Sequence, residues 1–191
     1  MIEKTRQEGR DQLMFRIPLA ELELPVEAFD LLLGHRQPHL VPLLDYHVDG
    51  KNLILIEPLL YGKTLLELLE ENQAEKMKFS RENLARWYDE ISTALQFLHS
   101  FRPSYLVHGD VQPANILIDE DGAAFLLDFS SCKLVSGSNQ FFYRIHGRSE
   151  FTDPRYFSDG IYDRDSDLYG LRATFQWVRQ HMEQVDSAHQ D

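Results

Sequence analysis

The segment from His108 to Ser130 constrains this chain most, because it places two carboxylates and an amide at fixed spacing. It begins HGDVQPANILI, passes through an acidic turn and ends LLDFS. Asp110 and Asn115 fall in a loop, and the apolar runs that follow predict a hairpin turning at Asp121-Gly122. That hairpin returns Asp128 beside the loop. The sequence therefore predicts that Asp110, Asn115 and Asp128 lie together.

Such a set of side chains suits magnesium bound to nucleotide phosphates. Magnesium is a hard cation that takes one or two carboxylate or amide oxygens and leaves its other positions to phosphate and water. Phosphoryl transfer needs neutralised phosphates and an acceptor hydroxyl held in line, rather than covalent help from the protein. The three residues therefore indicate a phosphoryl-transfer site that holds a magnesium–nucleotide complex.

These motifs resemble those of the protein-kinase superfamily. H-G-D-x-x-x-x-N is similar to its catalytic loop, and Asp128-Phe129-Ser130 is similar to its Asp-Phe-Gly metal-binding motif. Further similarities follow in chain order. Ile56 stands where the gatekeeper belongs, Glu57-Pro58-Leu59 where the nucleotide-binding hinge belongs, and Ser166–Leu171 at the start of the F helix. The resemblance covers about residues 13–185 of the 191.

The resemblance implies a role for each matching residue. Asp110 would orient the acceptor hydroxyl and accept its proton, while Asn115 and Asp128 would ligate magnesium. Leu117 would form the floor under the adenine.

The resemblance also implies how the site is framed. The backbone of residues 57–59, with Glu57 and Leu59 at its ends, would meet the adenine edge. His108 and Phe129 would belong to a stacked apolar spine. Asp167 at the start of the F helix would tie down the catalytic loop.

The strand lysine of the family has no direct equivalent. The nearest basic residue is Arg16, which is longer and planar and so is not a neutral replacement. Its partner would be Glu27 on the short helix that follows, with Glu23 as second choice. In this role Arg16 points into the cleft. In the competing interpretation Arg16 is a surface charge on an edge strand.

Other departures from the family pattern predict low activity. No G-x-G-x-x-G precedes Leu13, and the twelve residues before it leave no room for the usual phosphate-covering hairpin. Gln112 replaces the lysine of the catalytic loop, which removes a positive charge. Gly109 replaces the arginine that reads activation-loop phosphorylation, so no such switch is expected. Asp153-Pro154-Arg155 stands in place of Ala-Pro-Glu.

The expected fold is α+β, with the two lobes of a protein kinase. Residues 1–59 would form a truncated N-lobe of strands and a short helix at 25–33. Residues 60–191 would form a shortened helical C-lobe that carries the catalytic loop and ends after the F helix, at about 165–185.

Local signals predict several elements of this fold. Asp49-Gly50 is a favoured hairpin turn between two apolar runs. Ser80 suits the N-cap of a helix over 81–99, in which Leu84, Trp87, Ile91, Leu95 and Leu98 recur at three- and four-residue steps. The aromatic run Phe141-Phe142-Tyr143 indicates either packing against the lower lobe or a docking patch.

Composition narrows the possible partners and the location. With 19 basic and 31 acidic residues the net charge is −12, which disfavours nucleic acid and anionic membrane surfaces and leaves a protein partner as the expectation. The single residue Cys132 fits a reducing cytoplasm. The polar start MIEKTRQEGRDQ does not resemble a signal peptide. We expect a cytoplasmic protein; nothing in the sequence fixes its oligomeric state.

Three functions remain open at this point. The first is an ATP/Mg-dependent phosphotransferase acting on Ser or Thr of a protein, with low activity. The second is a pseudokinase that uses the fold to regulate a partner protein. The third is a small-molecule kinase of the aminoglycoside or lipid-sugar type. The match at Ser166–Leu171 favours the first over the third, and the missing glycine-rich loop favours the second over the first.

Overall fold

The structure, a computed structural model, describes residues 2–7, 10–75, 80–137 and 148–187. It confirms the α+β class, because a strand-rich first part is followed by a mainly helical part with inserted strands. The aromatic run Phe141-Phe142-Tyr143 lies outside the described residues. None of the helices within the described ranges has the length and apolar character of a membrane span.

A four-stranded antiparallel sheet forms the first part, in the spatial order β1-β2-β4-β3. Its strands are β1 Ile2–Gln7, β2 Arg10–Pro18, β3 Asp45–Asp49 and β4 Asn52–Pro58. The β3–β4 hairpin turns at Gly50, whose φ of 61° is the left-handed conformation that the predicted Asp-Gly turn requires.

Strand β1 was not predicted. It pairs with β2 from Ile2 opposite Phe15 to Gln7 opposite Arg10, in the segment expected to hold no strand. Its sequence, IEKTRQ, has no apolar alternation to indicate a half-buried strand. Charged residues are typical of an edge strand, since they oppose pairing with another chain.

Strands β2 and β4 direct alternate side chains to one inner face. Opposite pairs such as Leu13–Glu57, Phe15–Leu55 and Ile17–Leu53 share this face, because neighbouring residues of a strand point to opposite sides. Leu53 and Leu55 are buried in the core. The inner face therefore belongs to the odd-numbered residues of both strands.

The predicted helix at 25–33 is a 3-10 helix over Val26–Leu31. A second 3-10 turn, Leu19–Glu21, precedes it. Phe29 of the longer turn is completely buried and packs into the main core.

Four α-helices are described: α1 Leu65–Glu75, α2 Arg81–Leu98, α3 Pro154–Asp159 and α4 Arg164–Ser187. Ser80 caps α2 as predicted, since its Oγ accepts a hydrogen bond from the backbone N–H of Asn83 at 3.0 Å. The predicted apolar stripe of α2 is buried. Helix α4 confirms the predicted last helix.

Two small sheets carry the loops that matter for function. Their strands are β5 Gly62–Thr64, β6 Tyr105–Val107, β7 Ile116–Asp119, β8 Ala124–Leu126 and β9 Lys133–Val135. The β7–β8 hairpin was predicted, and β5 pairs with β7 while β6 pairs with β9. The catalytic-loop segment thus lies between β6 and β7.

One hydrophobic core joins the two parts of the chain. It includes Phe29 and Leu55 from the first part and Leu95, Leu126 and Phe129 from the second. The backbone of Val41 also donates to the carbonyl oxygen of Leu126 at 3.0 Å. The division into 1–59 and 60–191 stays a prediction.

Candidate active site

Asp167 fixes the backbone of the His108-Gly109-Asp110 loop. Its carboxylate is fully buried and accepts hydrogen bonds from the backbone N–H of His108 at 2.8 Å and of Gly109 at 3.0 Å. His99 Nε2 at the end of α2 donates a third bond at 2.9 Å. These bonds give the geometry predicted for this aspartate. A buried carboxylate with three donors holds the loop rigidly.

Asp110 and Asn115 are joined directly, as their spacing predicted. The Asn115 amide nitrogen donates to Asp110 Oδ2 at 2.8 Å and to the Asp110 carbonyl oxygen at 2.9 Å. The Gln112 amide nitrogen donates to both Asp110 carboxylate oxygens at 2.8 Å. Asp110 is therefore oriented by two amides, and Gln112 gives hydrogen bonds without the positive charge of a lysine.

Asp128 adopts a backbone conformation that is rare outside glycine. Its φ is 71°, and its Oδ1 accepts a hydrogen bond from the backbone N–H of Ser130 at 2.9 Å. Non-glycine residues in the left-handed region concentrate at functional sites, where the surroundings hold them. Phe129, the next residue, is buried in the main core. The core thus anchors the turn that presents Asp128.

A cavity of about 230 Å³ lies between the sheet and the catalytic loop. The cavity is lined by Leu13, Phe15, Val41, Glu57, Pro58, Leu60, Ala114, Asn115, Leu117, Leu127 and Asp128. Apolar side chains make up most of the wall, and Leu117 is among them as predicted. Among the described residues that line it, the charged ones are two carboxylates, and none is a lysine or an arginine.

Glu57 faces this cavity, at the position where the nucleotide-binding hinge was predicted to begin. Glu57 is only 3% exposed and lines the wall, whereas Ile56 points to the other face of the strand. The gatekeeper role of Ile56 stays a prediction. Leu59 does not line the cavity; its backbone N–H donates to the Asp11 carbonyl oxygen at 3.0 Å. Leu60 lines the cavity in its place. The wall therefore runs from Glu57 to Leu60.

The carboxyl group of Glu57 is electrostatically unusual. Burial raises the pKa of Glu57 to about 8, and the charge of Asp128 contributes in the same direction. Both causes disfavour the ionised form. Near neutral pH the group therefore carries a proton for much of the time.

Arg16 does not point into the cleft, contrary to the lysine-substitute prediction. It lies on the outer face of the sheet opposite Ile54, and its Nη1 is 3.0 Å from Asp49 Oδ2. The Arg16 side chain is 34% exposed. Phe15, its neighbour, faces the cavity instead. The physical reason is the apolar alternation of β2, which turns Leu13 and Phe15 inward and Arg16 outward.

Glu27 is not the partner of a cleft-facing cation either. Glu27 lies on the 3-10 helix near Tyr46. The pKa of Tyr46 is raised to about 12, first by the hydrogen bond of its hydroxyl to Asp30, and further by burial and by the charges of Asp30 and Glu27. The short 3-10 geometry and the outward Arg16 remove the predicted ion pair. Glu23, the second choice, contacts a different residue.

Lys133 is a buried cation close in sequence to Asp128 that the sequence analysis did not single out. Only 1% exposed, it places Nζ 3.0 Å from a Glu23 carboxylate oxygen, 2.9 Å from the Ser131 carbonyl oxygen and 5.1 Å from the centre of the Tyr162 ring. A lysine five positions after Asp128, inside an apolar strand, was the available signal. The ion pair joins the chain before the Val26–Leu31 turn to strand β9.

Gly109 makes room for Lys133. A Cβ atom at residue 109 would overlap the Ser131 carbonyl oxygen and lie 2.9 Å from Lys133 Nζ. The φ of Gly109 is 83°, which also favours glycine. The ammonium of Lys133 and the backbone of Ser131 therefore occupy the space that the Cβ atom of the family's arginine would need.

The residues at the cavity fit magnesium held together with a nucleotide. Both hydrogen bonds of the Asn115 side chain use its nitrogen, so its amide oxygen and the Asp128 carboxylate supply hard oxygen ligands. No group of three or more acidic, His or Cys side chains within the described residues forms a cation cage. Magnesium does not need one, because phosphates and water complete its shell.

Comparison with known proteins identifies the family. A family model described as protein kinase domain matches residues 26–180, which is most of the chain. The chain belongs to the protein kinase domain family. A protein kinase domain implies the use of ATP and typically of magnesium.

Individual relatives agree with this assignment. The kinase domain is 29% identical over 158 residues to the probable receptor-like protein kinase At4g10390 of Arabidopsis thaliana, covering 74% of this chain and 44% of that protein. It is 34% identical over 146 residues to U-box domain-containing protein 33 of the same plant, covering 74% and 17%. A third relative is the Arabidopsis inactive serine/threonine-protein kinase ZRK12, 26% identical over 147 residues, covering 76% and 35%. The chain spans less than half the length of these curated relatives.

Proposed function

We propose that this kinase domain uses ATP and Mg²⁺ to phosphorylate Ser or Thr hydroxyls of a protein, with low turnover. The observation that carries the proposal is the joined pair Asp110–Asn115, 2.8 Å apart, on a loop that Asp167 holds beside Asp128. A set of this kind has little use in a protein that binds no metal–nucleotide complex. The name of one relative, a probable receptor-like protein kinase, supports a protein acceptor.

Each residue has a defined part in the transfer. The acceptor hydroxyl oxygen forms a bond to the γ-phosphorus, the bond from that phosphorus to the β–γ bridging oxygen breaks, and ADP leaves. Asp110 accepts the hydroxyl proton and orients the hydroxyl, held by Gln112 and Asn115. Asn115 and Asp128 would hold Mg²⁺, which neutralises phosphate charge.

The low turnover follows from the charges around the cavity. Among its described lining residues the charged ones are Glu57 and Asp128, both acidic, and Gln112 is neutral where a lysine would touch the phosphoryl group. Removing one preorganised donor from a transition state costs about 3–4 kcal/mol in other enzymes. The missing lysine of the strand and that of the loop together slow the reaction by more than a single loss.

Partner chemistry and location are part of the same proposal. The net charge of −12 favours a basic protein segment as acceptor. A cytoplasmic location is supported by the single cysteine, Cys132, which is buried and forms no disulfide.

The second candidate is a pseudokinase that binds and regulates a protein partner. The observation that favours it is Arg16, which pairs with Asp49 on the outer face and leaves Phe15 on the cavity side. The relative ZRK12 is named inactive. In this function the fold is retained as a binding surface, and phosphoryl transfer is absent.

Two measurements separate the candidates. Thermal unfolding is recorded with millimolar ATP in Mg²⁺ and again in EDTA; a ligand that binds only the folded protein raises its melting temperature. Transfer from radiolabelled ATP to a basic Ser/Thr-containing protein is then followed over hours. A Mg²⁺-dependent shift with slow transfer supports the phosphotransferase. A shift without transfer supports a nucleotide-binding pseudokinase, and the absence of any shift contradicts nucleotide binding altogether.

A further inference from the structure

Helix α4 presents three residues of one face to the catalytic loop. Asp167, Gly170 and Thr174 are spaced three and four residues apart, so they lie on the same side of the helix. Asp167 holds the start of the loop through two backbone N–H groups. The other two residues of this face meet the loop beyond Asp110, at Val111.

Gly170 lets the loop approach the helix closely at Val111. A Cβ atom at residue 170 would lie 3.1 Å from the Val111 carbonyl oxygen and 3.2 Å from the Phe151 carbonyl oxygen, closer than ordinary van der Waals contact. Val111 is 2% exposed and packs in the main core. This approach brings the Val111 carbonyl oxygen within reach of a side chain one turn further along α4.

Thr174 supplies that side chain. It is completely buried, and its hydroxyl donates to the Val111 carbonyl oxygen at 3.1 Å. A threonine inside a helix ordinarily points to solvent or donates to the carbonyl oxygen four residues earlier on the same helix. Thr93 of α2 does the latter, with its Oγ1 2.9 Å from the Asp89 carbonyl oxygen. The bond from Thr174 to a residue 63 positions away is therefore not a by-product of helix geometry.

This bond fixes the peptide plane between Val111 and Gln112, because a carbonyl group and the N–H that follows it belong to one rigid plane. The Gln112 side chain begins at the end of this plane and donates to both carboxylate oxygens of Asp110 at 2.8 Å. Rotation of the peptide would carry Gln112 away from Asp110. Asn115 would still hold Asp110, since the bonds between these two residues do not involve this peptide.

We propose that Thr174 is a positioning residue for phosphoryl transfer, which acts through Gln112 to orient the Asp110 carboxylate. The proposal rests on the proposed phosphotransferase function and adds to it a side chain that touches no substrate. Asp167 and Thr174 then hold the loop on both sides of Asp110, from one face of one helix. Because Asp110 must meet the acceptor hydroxyl in a defined orientation, loss of the second contact affects the rate of transfer more than the binding of ATP.

The test compares variants that separate the hydroxyl of Thr174 from its shape. Thr174→Val keeps the shape and loses the hydroxyl, whereas Thr174→Ser keeps the hydroxyl and loses a methyl group. Thr93→Val, which removes the bond within α2, is the matched control. Initial rates of the whole chain are measured with radiolabelled ATP, Mg²⁺ and a synthetic peptide of alternating Arg and Ser residues as acceptor. The kcat and the KM for ATP are obtained from the same preparation.

Thr174→Val should lower kcat by about 10- to 100-fold, as a misplaced catalytic group does, and leave the KM for ATP unchanged. Thr174→Ser and Thr93→Val should keep kcat close to the parental value. Valine matches threonine in shape, so the variant is expected to fold, and circular dichroism checks this. Thr174→Ala, which also lacks the hydroxyl, is used if the valine variant does not fold.

A second comparison tests whether Thr174 acts through Gln112. Gln112→Ala alone should lower kcat. Thr174→Val added to it should lower kcat little further, because the side chain that the bond positions is already absent. Additive losses overturn the proposal, as does a parental kcat in Thr174→Val or an equal loss in Thr174→Ser; the phosphotransferase function then still stands. If the parent transfers no phosphate, both proposals fail.

Discussion

The Glu23 carboxylate lies 3.0 Å from the ammonium of Lys133, and both groups are shielded from solvent. Glu23 precedes the Val26–Leu31 turn, whereas Lys133 begins strand β9, shortly after Asp128. The pair therefore ties the first part of the chain to the segment that presents the metal-binding residue. This connection does not require a phosphorylated residue. We expect the site to be assembled without modification of the chain.

Lys133→Met should destabilise the fold by about 3–5 kcal/mol, because it leaves the Glu23 carboxylate buried without its cation. Unfolding in urea, followed by tryptophan fluorescence, measures the change.

Glu23→Gln combined with Lys133→Met provides the control. If the two residues form one ion pair, the double variant loses less than the sum of the single losses. Additive losses would show that the pair is not coupled in solution.

Asp128→Asn should abolish Mg²⁺-dependent ATP binding while the melting temperature without ligand stays close to that of the parent. Asparagine tolerates the left-handed backbone and can still accept from the Ser130 N–H, but it lacks the charge that magnesium prefers. Calorimetry with Mg-ATP measures the loss. Asp121→Asn in the β7–β8 turn is the control, and equal binding by both variants would remove Asp128 from the metal site.

Asp110→Asn should leave Mg-ATP binding intact and reduce phosphoryl transfer by about 10²–10⁴-fold. The amide still hydrogen-bonds the acceptor hydroxyl but cannot take up its proton. Initial rates with radiolabelled ATP and calorimetric dissociation constants are measured on the same preparation. Transfer at the parental rate would show that Asp110 is not the proton acceptor.

The stability of the metal-free protein should depend on pH through Glu57. Its pKa is raised from 4.5 to about 8, so between these values the folded state binds more protons than the unfolded state. The free energy of unfolding therefore falls as pH rises through this window, by up to ~1.4 kcal/mol per pH unit from this group.

Urea unfolding between pH 5 and pH 8 in EDTA tests this dependence. Glu57→Gln removes the titrating group, so the difference between parent and variant isolates the contribution of Glu57. Parallel pH profiles for the two proteins would mean that the Glu57 pKa is not raised.

Arg16→Ala should lower the free energy of unfolding by less than about 1 kcal/mol and leave the ATP dissociation constant unchanged. Its partner Asp49 is exposed, and surface ion pairs contribute little. Thermal unfolding and calorimetry measure the two quantities.

Phe15→Lys is the informative contrast to Arg16→Ala. Phe15 faces the cavity, so a lysine there would bring a cation beside Asp128 and the phosphates. ATP affinity should rise by about tenfold, which corresponds to ~1.4 kcal/mol. Weaker ATP binding after Arg16→Ala, with no gain from Phe15→Lys, would restore the lysine-substitute role to Arg16.

The β3–β4 and β7–β8 hairpins and helices α2 and α4 could be predicted because local chemistry determines them. Asp49-Gly50 and Asp121-Gly122 favour tight turns, and Ser80 favours a helix start. The structure joins Asp110 to Asn115 by a hydrogen bond and places Asn115 with Asp128 at the cavity, because the β7–β8 hairpin returns the chain beside the loop.

The prediction that Arg16 of strand β2 points into the cleft was wrong. It gave the resemblance to a lysine-bearing strand more weight than the apolar pattern of β2. Leu13, Phe15 and Ile17 alternate, and this alternation alone indicates that they face the core while Arg16 faces outward. The same rule places Glu57 inward with Leu53 and Leu55. The available signal was a charged residue, Glu57, at an inward position of an otherwise apolar alternation.

Contacts between distant segments could not be predicted from local patterns. Lys133 and Glu23 are far apart in sequence, and only the packing of β9 against the first part of the chain brings them together. Strand β1 likewise exists because β2 offers it an edge, since its own residues show no strand periodicity.

Gly109 limits how this kinase domain could acquire control by phosphorylation during evolution. An arginine at this position would collide with the Ser131 carbonyl oxygen and with Lys133, and it would have to adopt a φ of 83°. A substitution of residue 109 alone is therefore expected to destabilise the protein. Residues 109 and 133 would have to change together, and Glu23 would lose its cation on the way. A stepwise route from this chain to a phosphate-regulated relative would therefore pass through less stable variants.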